Sequence, residues 1–193
     1  WGRLRSWQPY MVAHALWYKQ TYSYFGILES LSGAAVDVAF LSFDDVRAHG
    51  VPEDIDVIIN AGDAGTAFSG GGEWADEKLV TAIRKWVYEG GGLIGVGDPS
   101  ALHREGRFFQ LADIFGVDKE LGFTLSTDKY FTKALASHFI TEDSVSDFDF
   151  GESKHDIYAL SEKTEIIEYS NNEVHLAASS YGKGRGVYIA GLP

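Results

Sequence analysis

The chain has no cysteine, a single methionine and only four prolines among its 193 residues. Without thiols, disulfides, thiolate catalysis and cysteine-ligated metal are excluded for this chain. Such a composition is compatible with a reducing cytosol. Basic residues are also scarce. Sixteen Lys and Arg stand against 28 Asp and Glu, for a formal charge of −12. Binding nucleic acid or anionic lipid rests on Lys and Arg neutralising phosphates, so no nucleic-acid or membrane-surface partner is expected. No apolar run approaches the roughly 18–20 residues that cross a bilayer. The opening residues carry no basic stretch leading into an apolar core, the mark of a secretory leader.

What is present is ordinary globular material. Hydrophobic residues make up 45% and charged residues 23%, close to average usage. The length is that of one domain. The chain opens on Trp1 and closes on the apolar Ile189 to Pro193, whereas chain ends are usually polar and loose. Residues 1–193 are therefore expected to be a single domain excised from a longer polypeptide.

Helix and strand signals alternate along the chain. Pro9 suits a first helical turn, and the aromatic and aliphatic spacing from Tyr10 to about Leu31 predicts a helix that stops at Ser32-Gly33. Val36 to Phe43 reads as a short strand. Asp44-Asp45 opens a brief helix that ends at Gly50. The run Val57-Ile58-Ile59 suits a strand buried on both faces. A helix is expected over Asp76 to Tyr88, a strand over Leu93 to Val96, and a further helix over Phe108 to Phe115. The pattern weakens from Asp118 to Asp156, where loops are expected. Short strands follow at 157–160, 164–169, 174–180 and 186–190, the last two joined by the glycine-rich turn 181–185. The expected fold class is α/β, a three-layer, doubly wound, mostly parallel sheet with short antiparallel strands at the C-terminal end. Its first strand would precede Trp1 or be cut short there.

In such sheets, sites gather where the strands end. Asn60, Gly62, Asp63 and Gly65 follow one strand, and Gly97, Asp98, Pro99, Ser100 and His103 follow another. Arg3, Arg5, Trp7, Gln8 and His14 stand at the start of the opening helix. A nucleophile elbow would need Ser or Cys where Gly97 stands, so a hydrolase built on Ser100, His103 and Asp98 lacks the elbow. The glycines at 62–65 and 95–97 are incomplete as dinucleotide fingerprints, and Asp63 and Asp98 oppose a phosphate. The histidines at 14, 49, 103, 138, 155 and 175 show no metal-binding spacing, so no metal site is expected. Dense aromatics near the N-terminus (Trp1, Trp7, Tyr10, Trp17, Tyr18, Tyr22, Tyr24, Phe25) read as a surface buried against a neighbouring domain or subunit.

Four strings carry a more specific signal: WGRLRSWQPYMVAHALWY, DVIINAGDAGTAFSGGGEW, GGLIGVGDPSA and GKGRGVYIAGLP. Together they resemble the central domain of the 1,3-β-galactosyl-N-acetylhexosamine phosphorylases, or lacto-N-biose phosphorylases, bifidobacterial members included. The resemblance implies a class I glutamine-amidotransferase-like (flavodoxin-like) fold, with Gly97 in place of the amidotransferase cysteine. It implies a parent enzyme with an N-terminal (β/α)8 barrel that carries the general acid, leaving no catalytic residue in this domain. The implied reaction is reversible, inverting phosphorolysis of galactosyl-β-1,3-N-acetylhexosamine to galactose 1-phosphate and the free N-acetylhexosamine. Inorganic phosphate would be the co-substrate, with no metal or organic cofactor. Family members are cytosolic homodimers. The one position the resemblance carries over is His14, on the acceptor side as a substrate-binding residue. The alternative is a non-catalytic oligomerisation domain with a degenerate amidotransferase fold.

Overall fold

A computed structural model describes residues 18–66, 68–104, 106–122, 137–144, 148–171 and 173–191, with side chains from residue 25 onward. Within these bounds the chain forms helices α1 (Tyr18–Leu31), α2 (Phe43–His49), α3 (Glu77–Glu89) and α4 (Ala112–Phe115). Its strands are β1 (Val57–Gly62), β2 (Gly92–Gly97), β3 (Val117–Lys119), β4 (Ile157–Ala159), β5 (Glu165–Ser170), β6 (Glu173–Tyr181) and β7 (Gly184–Ile189). The main sheet has the order β1-β2-β7-β6-β5, and β3 pairs with β4 separately.

The main sheet is mixed. β1 and β2 run parallel, as do β2 and β7, whereas β7, β6 and β5 form an antiparallel meander. The antiparallel strands at the C-terminal end are thus three of its five strands, and the last strand among the described residues is its middle one. Local chemistry explains the hairpin that places it. Gly182 has a φ of 61°, as the first central position of a type II′ turn requires. At Gly186 a side chain is excluded, because a Cβ would overlap the carbonyl of Ile114 in α4.

The helices that are present obey their termini. The side chain of Ser42, rather than Asp44 or Asp45, caps α2 by accepting from the Asp45 amide at 3.0 Å. Asp76 caps α3 in the same way through the Lys78 amide. α3 presents Leu79, Val80, Ile83 and Val87 to the core, the inward stripe its spacing predicts. One face of the sheet carries the main core, in which Trp74, Leu93, Phe109, Ile114, Phe115 and Tyr188 are all at most 1% exposed. A smaller cluster of Ile167, Leu176 and Ala178 lies apart from it, with Val187 and Ile189 packed against it.

Three expectations need correction. Residues 36–42 form no ladder, and the stretch from Ser32 to Phe40 is exposed throughout. β1 is not buried on both faces, since Val57 is 50% exposed and only its C-terminal half is enclosed. Both faults share a cause: among the described residues, β1 pairs only with β2. The helix expected over Phe108 to Phe115 is confined to α4, because Phe108 to Gln110 bridge to residues 100–102: the Leu102 amide donates to the Phe108 carbonyl at 2.9 Å and the Gln110 amide to the Ser100 carbonyl at 3.0 Å. The Phe109 amide donates to Asp118 at 2.9 Å and that of Leu111 to the Ser100 hydroxyl at 3.1 Å.

Candidate functional site

The loops after β1 and β2 meet at the carboxyl edge of the sheet. Asn60, the last buried polar residue of β1, ties them together. Its amide nitrogen donates to the Ser69 carbonyl at 3.1 Å, and its oxygen accepts the Ser100 amide at 2.8 Å. The hydroxyls of Thr66 and Ser69 both donate to the Asp63 carbonyl, at 2.7 and 2.6 Å. The Asp63 carboxylate is left to pair with Lys154. Lys154 also reaches Asp98 at 3.2 Å, and Lys119 meets the other oxygen of Asp98 at 3.2 Å.

Two carboxylates and two ammonium groups thus form one partly buried cluster, with the Asp98 side chain 6% exposed. Burial disfavours the charged form of Lys154, but the hydrogen bond it donates to Asp63 and the charge of Asp98 outweigh it and raise its pKa above the usual lysine value. Beneath the cluster, the Tyr188 hydroxyl donates to the Gly97 carbonyl at 3.0 Å. Complete burial, with Asp98 and Glu173 nearby, pushes that phenol well above its ordinary range. Gly97 itself ends β2 with a φ of 77° and offers no side chain.

The residues of the notional hydrolase do not assemble. Ser100 is fully buried with a φ of 50°, and its hydroxyl accepts from Leu111. Asp98 is held by the two lysines. His103 is exposed and packs edge-on against Phe108 at 5.0 Å. No hydrogen bond among the described residues joins these side chains to one another.

Sequence reasoning found Asn60, Asp63 and Asp98 at this edge but missed both lysines. Lys154 lies 91 residues from Asp63, inside the weakly patterned stretch, and no local spacing announces such a pairing. His14, Arg3 and Arg5 lie outside the described residues. Of the other histidines, His138 meets Glu165 at 3.1 Å. His175 stacks on Phe150 at 5.3 Å, with both ring nitrogens buried and without a hydrogen-bond partner among the described residues, beside a cavity of about 360 Å³. Among the described residues no three His, Asp or Glu side chains converge as a metal site would require, and no helix is long and apolar enough to cross a membrane.

By its elements this is an α/β domain whose mixed sheet ends in a carboxyl-edge cluster of paired charges. Two cytoplasmic proteins of Salmonella typhimurium share the fold, each with a TM-score of 0.52 over 85% of this chain and 73–74% of theirs, at 16–17% identity. The sequence comparison is more specific. The family model for the lacto-N-biose phosphorylase central domain matches residues 1–193, and the chain belongs to that family.

A 1,3-β-galactosyl-N-acetylhexosamine phosphorylase of Lachnoclostridium phytofermentans is 52% identical over the whole chain. One of Bifidobacterium longum is 48% identical, again over the whole chain. A D-galactosyl-β-1→4-L-rhamnose phosphorylase of L. phytofermentans is 35% identical over 98% of the chain. The chain spans 25–30% of the length of these relatives.

Proposed function

We propose that this domain is the central part of an inverting phosphorylase. The enzyme would reversibly convert galactosyl-β-1,3-N-acetylhexosamine and phosphate into galactose 1-phosphate and N-acetylhexosamine. The observation that carries this reading is the match to the family over every residue, with relatives of that printed activity at about half identity. In the reaction, a carboxylic acid protonates the leaving glycosidic oxygen. A phosphate oxygen takes the place of the water of an inverting glycosidase and attacks the opposite face of the galactose carbon.

The acid belongs to an N-terminal (β/α)8 barrel outside this chain. No catalytic group is assigned to this domain, and the reaction calls on no metal or organic cofactor. The fold reading is a three-layer, doubly wound, glutamine-amidotransferase-like domain that has lost its nucleophile. Gly97 at the end of β2 and the buried, committed Ser100 support that loss. The domain contributes His14 to the acceptor side, where its imidazole hydrogen-bonds the N-acetylhexosamine, and it supplies part of the inter-domain and homodimer surfaces. The whole enzyme is cytosolic.

The test is galactose 1-phosphate release from lacto-N-biose and phosphate by the intact enzyme, wild type beside His14→Ala. A drop of roughly tenfold, about 1.4 kcal/mol of transition-state stabilisation, is the expected result. Absence of phosphate-dependent cleavage by the wild type overturns the activity. An unchanged His14→Ala leaves the domain as scaffold only. That second reading is favoured by one observation: the strand-end carboxylates are already paired with lysines rather than turned toward a substrate.

A further inference from the structure

β5 and β6 do not pair in simple register. Tyr169 pairs with Val174 and Glu168 with Leu176, so His175 is an extra residue of β6 with no partner on β5. Such a bulge bends its strand and re-aims the side chain it carries, and bulges are over-represented beside functional sites. The His175 carbonyl accepts from the Ala190 amide at 2.8 Å, which holds the bulge against the chain just past β7. The imidazole lies on Phe150, with ring centroids 5.3 Å apart and planes 28° from parallel.

His175 lines the cavity of about 360 Å³. Both of its ring nitrogens are buried and make no hydrogen bond among the described residues. A polar atom taken out of water without a partner costs stability, and a phenyl ring would stack on Phe150 without that cost. One ordered water can meet one nitrogen, but the cavity has the liquid volume of about a dozen waters.

The other walls define what the cavity can hold. Phe148 and Phe150 supply aromatic surface, Thr141 and Ser170 hydroxyls, and Glu168 a carboxylate. Neither Lys nor Arg is among the lining residues, so an anion such as phosphate meets Glu168 and finds no cation to hold it. A purely apolar ligand leaves the Glu168 carboxylate and the imidazole against hydrocarbon. A planar base inserted between two rings needs a slot about 7 Å wide, at contacts of about 3.5 Å on each face. The Phe148 and Phe150 centroids are 6.1 Å apart with planes 37° from parallel, which closes that slot. What fits is an uncharged molecule with hydroxyls on its edge and a C–H face, whose hydrogens meet the negative face of an aromatic ring. The volume lies at the lower end of small-molecule sites, which run from about 300 to 1,000 Å³, and suits one sugar ring.

We propose that the cavity bounded by β5, the His175 bulge of β6 and residues 141–144 and 148–150 binds a single uncharged pyranose. The C–H face of the sugar stacks on Phe148, which is 42% exposed, and Glu168 accepts from its hydroxyls. His175 supplies a further polar contact. A half-turn of the imidazole about its Cβ–Cγ bond exchanges each nitrogen with a ring carbon, keeps the ring plane on Phe150 and brings a nitrogen to the sugar. The proposal is independent of the phosphorylase activity, since it rests on the cavity and the bulge alone.

The test exposes the intact protein to D-glucose, D-galactose or N-acetyl-D-glucosamine and follows amide hydrogen exchange by mass spectrometry. With at least one sugar at ten times its dissociation constant, peptides over 165–176 are expected to exchange roughly tenfold more slowly. His175→Phe keeps a ring on Phe150 but removes both nitrogens, and Phe148→Ala removes the stacking face. Each should abolish the protection with the melting temperature retained, and Phe148→Ala carries the test if His175→Phe fails to fold. Lack of protection at 165–176 with all three sugars overturns the proposal. So does protection that persists in the folded variants, which is the mark of sugar bound elsewhere on the enzyme, or protection given by adenine and by none of the sugars.

Discussion

Lys154 is the residue on which the carboxyl edge depends. Asp98 is nearly enclosed, and Lys154 is its shared partner with Asp63. Removing one member of a buried ion pair costs about 3–5 kcal/mol because the other charge is stranded. Lys119 remains to serve Asp98, and Asp63 is about a third exposed. Lys154→Met should therefore cost about 2 kcal/mol, read as a lower urea midpoint of the intact protein. The pH signature is distinct. The folded-state pKa of Lys154 is raised, so its contribution is fully present below the unfolded lysine value and fades as pH rises through the folded one. Lys154→Met should flatten that alkaline loss of stability.

Ser100 makes the opposite point about appearances. Its placement after β2 and its positive φ suggest a nucleophile, but its hydroxyl is an internal acceptor. Ser100→Ala strands the Leu111 amide and should cost about 1–3 kcal/mol of stability, while kcat of the intact enzyme stays within about twofold. A loss of turnover without loss of stability would return Ser100 to the list of catalytic candidates. Asn60, Asp63 and Asp98 were legible because they follow apolar runs. Their lysine partners were not, because ion pairing across distant loops leaves no periodic trace.

At the scale of elements, the packing of β7 against α4 is a tight constraint. Gly186→Ala forces a methyl group into the Ile114 carbonyl, which is backbone and cannot rotate aside. Overpacking of this kind costs about 1–3 kcal/mol or more, and a fall in melting temperature is the expected readout. Gly72→Ala is the control. Its Cβ meets nothing within 4 Å and its φ is ordinary, so it should be close to neutral. The elements that sequence reasoning placed well are those decided locally. α3 has a capping Asp76, an apolar stripe and a glycine stop, and β6 and β7 have a turn that only glycine begins easily. Residues 36–42 also have strand propensity but, among the described residues, no strand beside them, and propensity alone forms no ladder. Phe108 to Leu111 have helical spacing, but a backbone bridge to residues 100–102 holds Phe108 to Gln110 out of the helix.

For the molecule as a whole, the exposed stretch 32–40 lies beside the edge of β1 that no strand among the described residues pairs. Such an edge invites pairing with another copy, and the −12 charge opposes association only over a Debye length of about 8 Å at physiological salt. The isolated 193-residue chain should self-associate with rising concentration and salt, as followed by light scattering. Val38→Lys should suppress this, as charges on edges do in other sheets. Alternating helix and strand signals revealed the α/β class. The sheet order could not be read, because which strand sits beside which is decided by pairings between distant residues.

That order bears on how the domain comes into being. Ile94 of β2 pairs with Val187 of β7, and Ala178 of β6 pairs with Val187 from the other side. During synthesis, β1 and β2 emerge early and β5 and β6 late, yet the two halves have no shared ladder until the final strand leaves the ribosome. Contacts this remote in sequence are slow to close. Until β7 is free to pair, the chain holds two parts of one sheet without the strand that joins them.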